Sequence, residues 1–486
     1  MRKRALSLLL ALVMCLSLVT PAYAVELEEA AASEETDTEP AAEELSAEEA
    51  APEATRPEPA AEPASSEQGT PATTVVASGT CGAEDDNLTW TLDDAGTLTV
   101  SGTGEMAGYH YGINEPAPWG DYRDSITAVV IENGVTTIGS FAFGYCANLQ
   151  SASIPDSVTF ISEWAFYQDS ALESVTIPGS VKELDREVFY QCTGLRSVTL
   201  EEGVETVGRW TFSDCEGLET LVLPTTLQTV DEGGFAFYSD NTNVYITDLA
   251  AWCDIDFADG SANPLSPDKQ FSVNTLYLNG EPVYDLELPE GVSTIKPYAF
   301  YSYMPLNSVT FSDTVTEIGA SAFERCDNLR SVEITDGVVT VGANAFCYCT
   351  ALETLTVGDT VTTIGECAFE GDIALKKVTL GTGLQTLGSM AFGAGGNILS
   401  GNVYLPVTFL GDAPQFSEDC FYNNYILARY PADNETWTED VRQQYAGTVN
   451  WRPVGAGDLD LLGDGTFGDG LSWALTAGGT LTISGT

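Results

Sequence analysis

Histidine occurs once in the 486 residues, as His110, and Lys plus Arg number 18 against 72 Asp plus Glu. With a single imidazole, a His-rich zinc site is excluded, and any Ser-His-Asp or Cys-His arrangement would have to be built on His110. That residue stands between Tyr109 and Tyr111 with no nucleophile marked beside it, so it reads as a surface or packing residue. The shortage of cations, at a net charge of −54, argues against nucleic acid as a partner, because phosphates need Lys and Arg. It also disfavours anionic lipid or wall polymer, and is compatible with a cationic protein partner or with solubility alone. The sequence has no Cys-x-x-Cys pair and no Gly-Lys-Ser or Gly-Lys-Thr phosphate loop, and no two carboxylates stand out as a hydrolytic pair. Asp458, Asp460, Asp464 and Asp469 lie in a Gly-rich run that could hold calcium but lacks the spacing and final Glu of an EF-hand loop. Residues 455–470 are therefore expected to be a linker. These absences point to a chain that is not an enzyme and needs no metal or cofactor.

Long apolar runs are as scarce as cations. Only Ala5–Val19 qualifies, behind Arg2, Lys3 and Arg4 and ahead of Ala22-Tyr23-Ala24. This is the pattern of a secretory signal over 1–24, with the mature chain starting at Val25. The run is too short to span a bilayer, so no direct membrane insertion is expected after cleavage. Cys15 follows Met14 where a lipidated cysteine would follow a small residue, which argues against a lipid anchor. Residues 25–77 contain no aromatic and 15 acidic residues against the single base Arg56. Such a segment buries too little surface to offset its ordering entropy and reads as a disordered spacer.

What the sequence does have is a period. Ala-Phe or a close variant recurs with its Phe at 143, 166, 189, 212 and 237, then at 300, 323, 346, 369 and 392. Seven steps are 23 residues, one is 25, and the step from Phe237 to Phe300 is 63. A fixed period in the twenties means one short unit stacked on itself. Within the unit starting at Leu172, Val175 and Ile177 alternate with Ser174 and Thr176, the pattern of a strand with one buried face. A turn, a second short apolar stretch (Val181–Leu184) and a compact segment carrying Phe189 follow. No unit could bury its apolar face alone, and stacking builds the core.

The pattern Leu-x-x-Val-x-Ile-Pro-x-x-Val-x-x-Ile-Gly-x-x-Ala-Phe-x-x-Cys over roughly 125–453 resembles the BspA-like leucine-rich repeats of bacterial surface proteins. The resemblance implies a curved solenoid, β-dominated with short helical or 3-10 segments, with a parallel sheet on one face. It also implies an extracellular role in adhesion or recognition, with an unknown protein or glycan as partner.

The expected organisation is a β-hairpin cap over 78–125, a solenoid over 126–401 with an irregular insertion at about 238–290, and a closing segment over 402–454. The hairpin reads from Leu88 to Thr103 through an Asp-Asp-Ala-Gly turn, and 471–486 repeats it, with Trp473 matching Trp90. That second copy stops where an array would begin, which suggests a longer protein whose further part could be a second array or a catalytic domain that these repeats target. A structural surface stalk is the third possibility.

The slot three residues after the repeat Phe holds Cys146, Cys192, Cys215, Cys326 and Cys349, but Asp169, Asp240, Tyr303, Asp372 and Gly395 elsewhere. Such tolerance reads as a turn position with free thiols rather than obligatory disulfides, since stacked side chains point the same way. Two surfaces are candidates for binding. One is the outward strand face with Ser174, Thr176, Ser197, Thr199, Ser308, Thr310, Thr354 and Thr356, although Thr also simply favours strands. The other is the interruption, where Asp248 could cap a short helix through Trp252. There Trp252 and Phe257 either pack into the core or belong to a protruding ligand-holding element.

Overall fold

The computed structural model describes residues 73–84, 87–110, 116–239, 241–266, 273–393 and 404–455, with three C-terminal strands within 461–485. The signal and nearly all of the acidic spacer lie outside the described residues, as do Asp240 and Gly395. The fold is a parallel β-solenoid of about 13 turns with almost no helix.

Each turn contributes to two rows of parallel strands. In the longer row Ser174–Ile177 pairs with Ser197–Leu200, which pairs with Thr220–Val222, each residue facing the one 23 positions on. In the shorter row Leu184 faces Val207 and Val207 faces Val230. Val175, Ile177, Val181 and Leu184 are buried while Ser174 and Thr176 are exposed, so the two-residue alternation places the core as expected.

The segment carrying the repeat Phe is neither strand nor helix. Its backbone forms a third ladder along the axis: Phe166 N–H donates to Val188 O at 2.9 Å, and Phe189 N–H to Thr211 O at 2.9 Å. In the regular coils the residues two before and two after the Phe hold positive φ, such as Trp164 (58°), Gln168 (59°), Glu187 (56°) and Gln191 (59°). Side chains other than Gly adopt this conformation at a cost, and here the coil-to-coil amide bonds hold it in place. The rings stack down the centre, with Phe189–Phe212 at 5.3 Å and 1° and Phe346–Phe369 at 5.4 Å and 2°.

Several expected boundaries move. The cap is three-stranded, from β1 (Val75–Thr80) through β2 (Leu88–Asp93) to β3 (Thr97–Gly102), so the boundary at 78 falls inside a strand. The predicted turn forms, Asp93 Oδ1 accepting from Ala95 N at 3.0 Å and Thr97 N at 2.8 Å. β3 then pairs in parallel with Ala128–Ile131 and starts the sheet.

At the C-terminal end Leu461–Thr466, Leu471–Thr476 and Leu481–Gly485 form an equivalent antiparallel sheet, with a register shift at Leu461/Gly463 where β1 has one at Val75/Ala77. The expected linker over 455–470 therefore contains a strand, because it supplies the first strand of the second copy. The closing segment does not merely cover the array. Leu405–Phe409, Tyr425–Pro431 and Thr448–Val454 extend the sheet in parallel register, with unequal loops hiding the period.

The interruption is shorter than expected. The ladder partner of Phe212 is Phe235, stacked at 5.8 Å and 9°, while Phe237 lies tilted beside it. The strand Asn243–Ile246 also keeps the 23-residue register with Thr220–Val222. Only then does the period fail. The helix α1 (Leu249–Cys253) and a loop precede Thr275–Leu278, which pairs with Asn243–Ile246 and turns back as a hairpin with Glu281–Pro282. A new pair of rows begins at Asp285–Glu287 and Thr294–Ile295.

Candidate recognition surface

Two files of outward side chains run along the longer row of the first array. One, read from the register, is Ala128, Ser151, Ser174, Ser197, Thr220, Asn243 and Thr275, polar from Ser151 onward. The other begins with Thr176 and Thr199 and then becomes Val222, Tyr245 and Tyr277. The neutral hydroxyl stripe is thus not uniform: it ends in a stacked tyrosine pair, centroids 4.8 Å apart and 23° between planes. In the second array Ser308 faces Asp285 and Ser331, while Thr310 faces Glu287 and Glu333, so acids alternate with hydroxyls in the second file alone. Thr354 and Thr356 carry these files to Lys377 and Thr379. Several hydroxyls are engaged locally, as Ser331 Oγ with Thr354 Oγ1 at 2.8 Å and Ser308 Oγ donating to Asp285 Oδ1 at 2.6 Å.

Beside the tyrosines, at the C-terminal ends of the strands, lies a cleft of about 330 Å³ lined by Thr199, Glu201, Glu202, Val222, Tyr245, Asn279 and Gly280 among others. The hairpin forms its far wall. Asn279 (φ 54°) and Gly280 (φ 91°) occupy its two central positions, the left-handed pair that a two-residue turn requires. Asn-Gly between Leu-Tyr-Leu and Glu-Pro-Val is the sequence signal that would have located this wall.

Trp252 and Phe257 are not part of an exposed face. Both are buried, at 1% and 2% exposure. Asp248 does cap α1, its Oδ1 accepting from Ala250 N at 2.8 Å and Ala251 N at 3.2 Å, and this turns Trp252 inward. There its indole N–H donates to Ala299 O at 3.0 Å and its ring lies 6.5 Å from Phe300. Two large apolar rings gain more by covering the open end of the second array than they would in water.

The slot after the repeat Phe is a turn and also core: Cys192 N–H reaches Phe189 O at 3.2 Å and Leu195 N–H reaches Cys192 O at 3.0 Å. Cys146, Asp169, Cys192, Cys215, Tyr303, Cys326, Cys349 and Asp372 are all buried there. The thiols point along the axis, Cys192 Sγ to Phe166 O at 3.0 Å and Cys349 Sγ to Phe323 O at 3.2 Å. The ten described cysteines are free. Burial raises the Cys192 and Cys349 thiols well above the ordinary range, which keeps them protonated and unreactive. Burial likewise raises Asp169 and Asp372. Asp169 Oδ1 accepts from Cys146 N at 2.8 Å, and the matching Cys349 N–H faces Asp372 and offsets part of its burial. His110 is exposed, and among the described residues no group of three or more His, Cys, Asp or Glu is arranged to hold a metal.

The profile of the BspA type leucine rich repeat region matches residues 121–243 and 274–398, in six copies. No curated protein matches the sequence. Similar solved structures include a leucine rich cell surface protein of Faecalibacterium prausnitzii A2-165, 22% identical over 66% of this chain and 91% of that one, TM-score 0.34. A leucine-rich repeat protein of Eubacterium ventriosum is 20% identical over 66% of this chain and 95% of its own, TM-score 0.36. The pneumococcal vaccine antigen PcpA is 14% identical over 77% of this chain and all of its own length (100%), TM-score 0.46.

Proposed function

From the premise that the chain belongs to the BspA-type leucine-rich repeat family, we propose that it is a secreted, non-catalytic recognition protein of a bacterial cell surface. Its outer sheet face would bind an extracellular protein or glycan. The observation that carries this reading is the outward file Thr176, Thr199, Val222, Tyr245, Tyr277. The core requires only the alternate residues of those strands, yet the outward file ends in a rigid aromatic pair beside a cleft. An aromatic patch rimmed by polar groups is what recognition surfaces have in common. A family relative described as a cell surface protein accords with the leader at 1–24.

The test is equilibrium binding of the purified chain to immobilised extracellular-matrix proteins and a glycan panel. Saturable binding that Tyr277→Ala weakens is expected. An absence of saturable binding to every ligand would leave a purely structural stalk as the better account.

A further inference from the structure

We propose that the cleft between the Asn279-Gly280 hairpin and the Glu201-Glu202 turn receives an Arg or Lys side chain from an extended segment of a cationic partner protein. This rests on the recognition reading above and narrows it to a chemical class. The wall of the cleft offers Val222 and Tyr245, with Tyr277 stacked on Tyr245. A guanidinium or the methylene stem of lysine lies well on such a surface, and the ring faces attract its charge. The rim supplies the opposite charge. Glu202 is held in place by Thr225, whose N–H and hydroxyl reach its carboxylate at 3.0 and 2.9 Å, and Glu201 beside it is exposed.

Among the described residues no Lys or Arg lines the cleft. Lys182 reaches the backbone next to the rim, its Nζ donating to Gly203 O at 2.9 Å, but its carboxylate partner is Glu205, while Arg196 lies on Glu219 and Arg209 on Glu232. The Glu201-Glu202 rim is therefore not neutralised from within the lining. The net charge of −54 would draw a basic segment towards the molecule, and the cleft would give one of its side chains a defined seat. A neutral sugar could stack on the rings and donate hydroxyls to the two carboxylates, but the net charge would not draw it to the molecule.

The probe is a dye-labelled (Gly-Arg)6 peptide, with a (Gly-citrulline)6 counterpart that keeps the shape and loses the charge. Anisotropy titrations use the full chain at physiological salt. The arginine peptide is expected to bind and the citrulline peptide to bind at least tenfold more weakly. Tyr245→Leu, which keeps apolar bulk without the ring face, should weaken binding roughly fivefold, and Glu201→Gln about threefold. Glu439→Gln, exposed and far along the chain, should change nothing. Equal weakening by Glu201→Gln and Glu439→Gln, or no effect of Tyr245→Leu, would mean diffuse attraction and overturn the proposal. So would Tyr245-dependent binding of a neutral oligosaccharide with none of the peptide, although the recognition reading would then stand. That broader reading fails only if neither peptide nor matrix ligand binds.

Discussion

Trp252 donates its indole N–H to Ala299 O at 3.0 Å, and Trp119 donates in the same way to Ala142 O at 2.8 Å. Within an array that carbonyl belongs to a different donor, since Phe300 N–H reaches Ala322 O and Phe323 N–H reaches Ala345 O. The first coil of each array has no preceding Phe, and a tryptophan supplies the donor in its place, although Trp252 lies tilted at 49° to Phe300. Trp119 stacks on Phe143 at 5.6 Å and 12° while satisfying the orphan carbonyl beside it. A Trp→Phe change keeps the ring and removes the donor. Trp119→Phe should cost about 1–3 kcal/mol by leaving a buried carbonyl unpaired. Trp252→Phe should cost less, because Asn263 Nδ2 also reaches Ala299 O at 3.0 Å. Urea denaturation of the two variants measures the difference, and an equal loss would sink this account.

Asp372 sits fully buried in a slot that other coils fill with cysteine, and burial opposes its charge. Asp372→Cys should stabilise the chain by about 1–3 kcal/mol at neutral pH. Burial raises the folded-state pKa above the unfolded value, so the folded state holds the proton longer. Between those two values stability should rise as pH falls, and Asp372→Cys should flatten that slope. Thermal midpoints measured on both proteins through the acid range test both statements.

Gly371 holds φ 77° two residues after Phe369, and a Cβ there would meet the Tyr348 ring at 2.4 Å. Gly371→Ala should lose about 1–2 kcal/mol from the backbone alone and displace that ring. Near-ultraviolet circular dichroism and urea midpoints would report the two effects, and an unchanged midpoint would refute the cost assigned to the left-handed positions.

Phe346 stacks between Phe323 at 5.2 Å and Phe369 at 5.4 Å, fully buried. Phe346→Ala should cost about 3–5 kcal/mol, whereas Thr354→Val on the exposed file should stay within about 0.5 kcal/mol. Chemical denaturation of both decides whether ladder and outer face are energetically separate.

Much of the fold was legible because periodicity reports burial directly. Val175 and Ile177 alternate with Ser174 and Thr176 in sequence and in space, and Asp248 caps the helix its position suggests. Three features were obscured, each for a physical reason. The Ala-Phe dipeptide drew the eye to Phe237, but stacking follows backbone register and selects Phe235. The Cys/Asp slot is the turn it resembles, but its burial was hidden because a carboxylate such as Asp372 is costly to place in a core. The candidate cleft depends on Tyr245 and Tyr277, which are 32 residues apart in the chain and become neighbours only through the register of their strands.

Among the described residues, both strand rows stop between the arrays and resume past Asp285, bridged by Lys296 N–H to Cys253 O at 3.0 Å and by bonds such as Tyr303 Oη to Val283 O at 2.5 Å. Elsewhere the hydrogen bonds lie along the axis in continuous ladders, which is also the direction of any pull on the two ends. Mechanically the junction is a fuse. Stretched in an optical trap, the chain should yield as two separate halves parting at the Trp252 joint rather than as a uniform peeling of coils, and a single graded extension curve would contradict this.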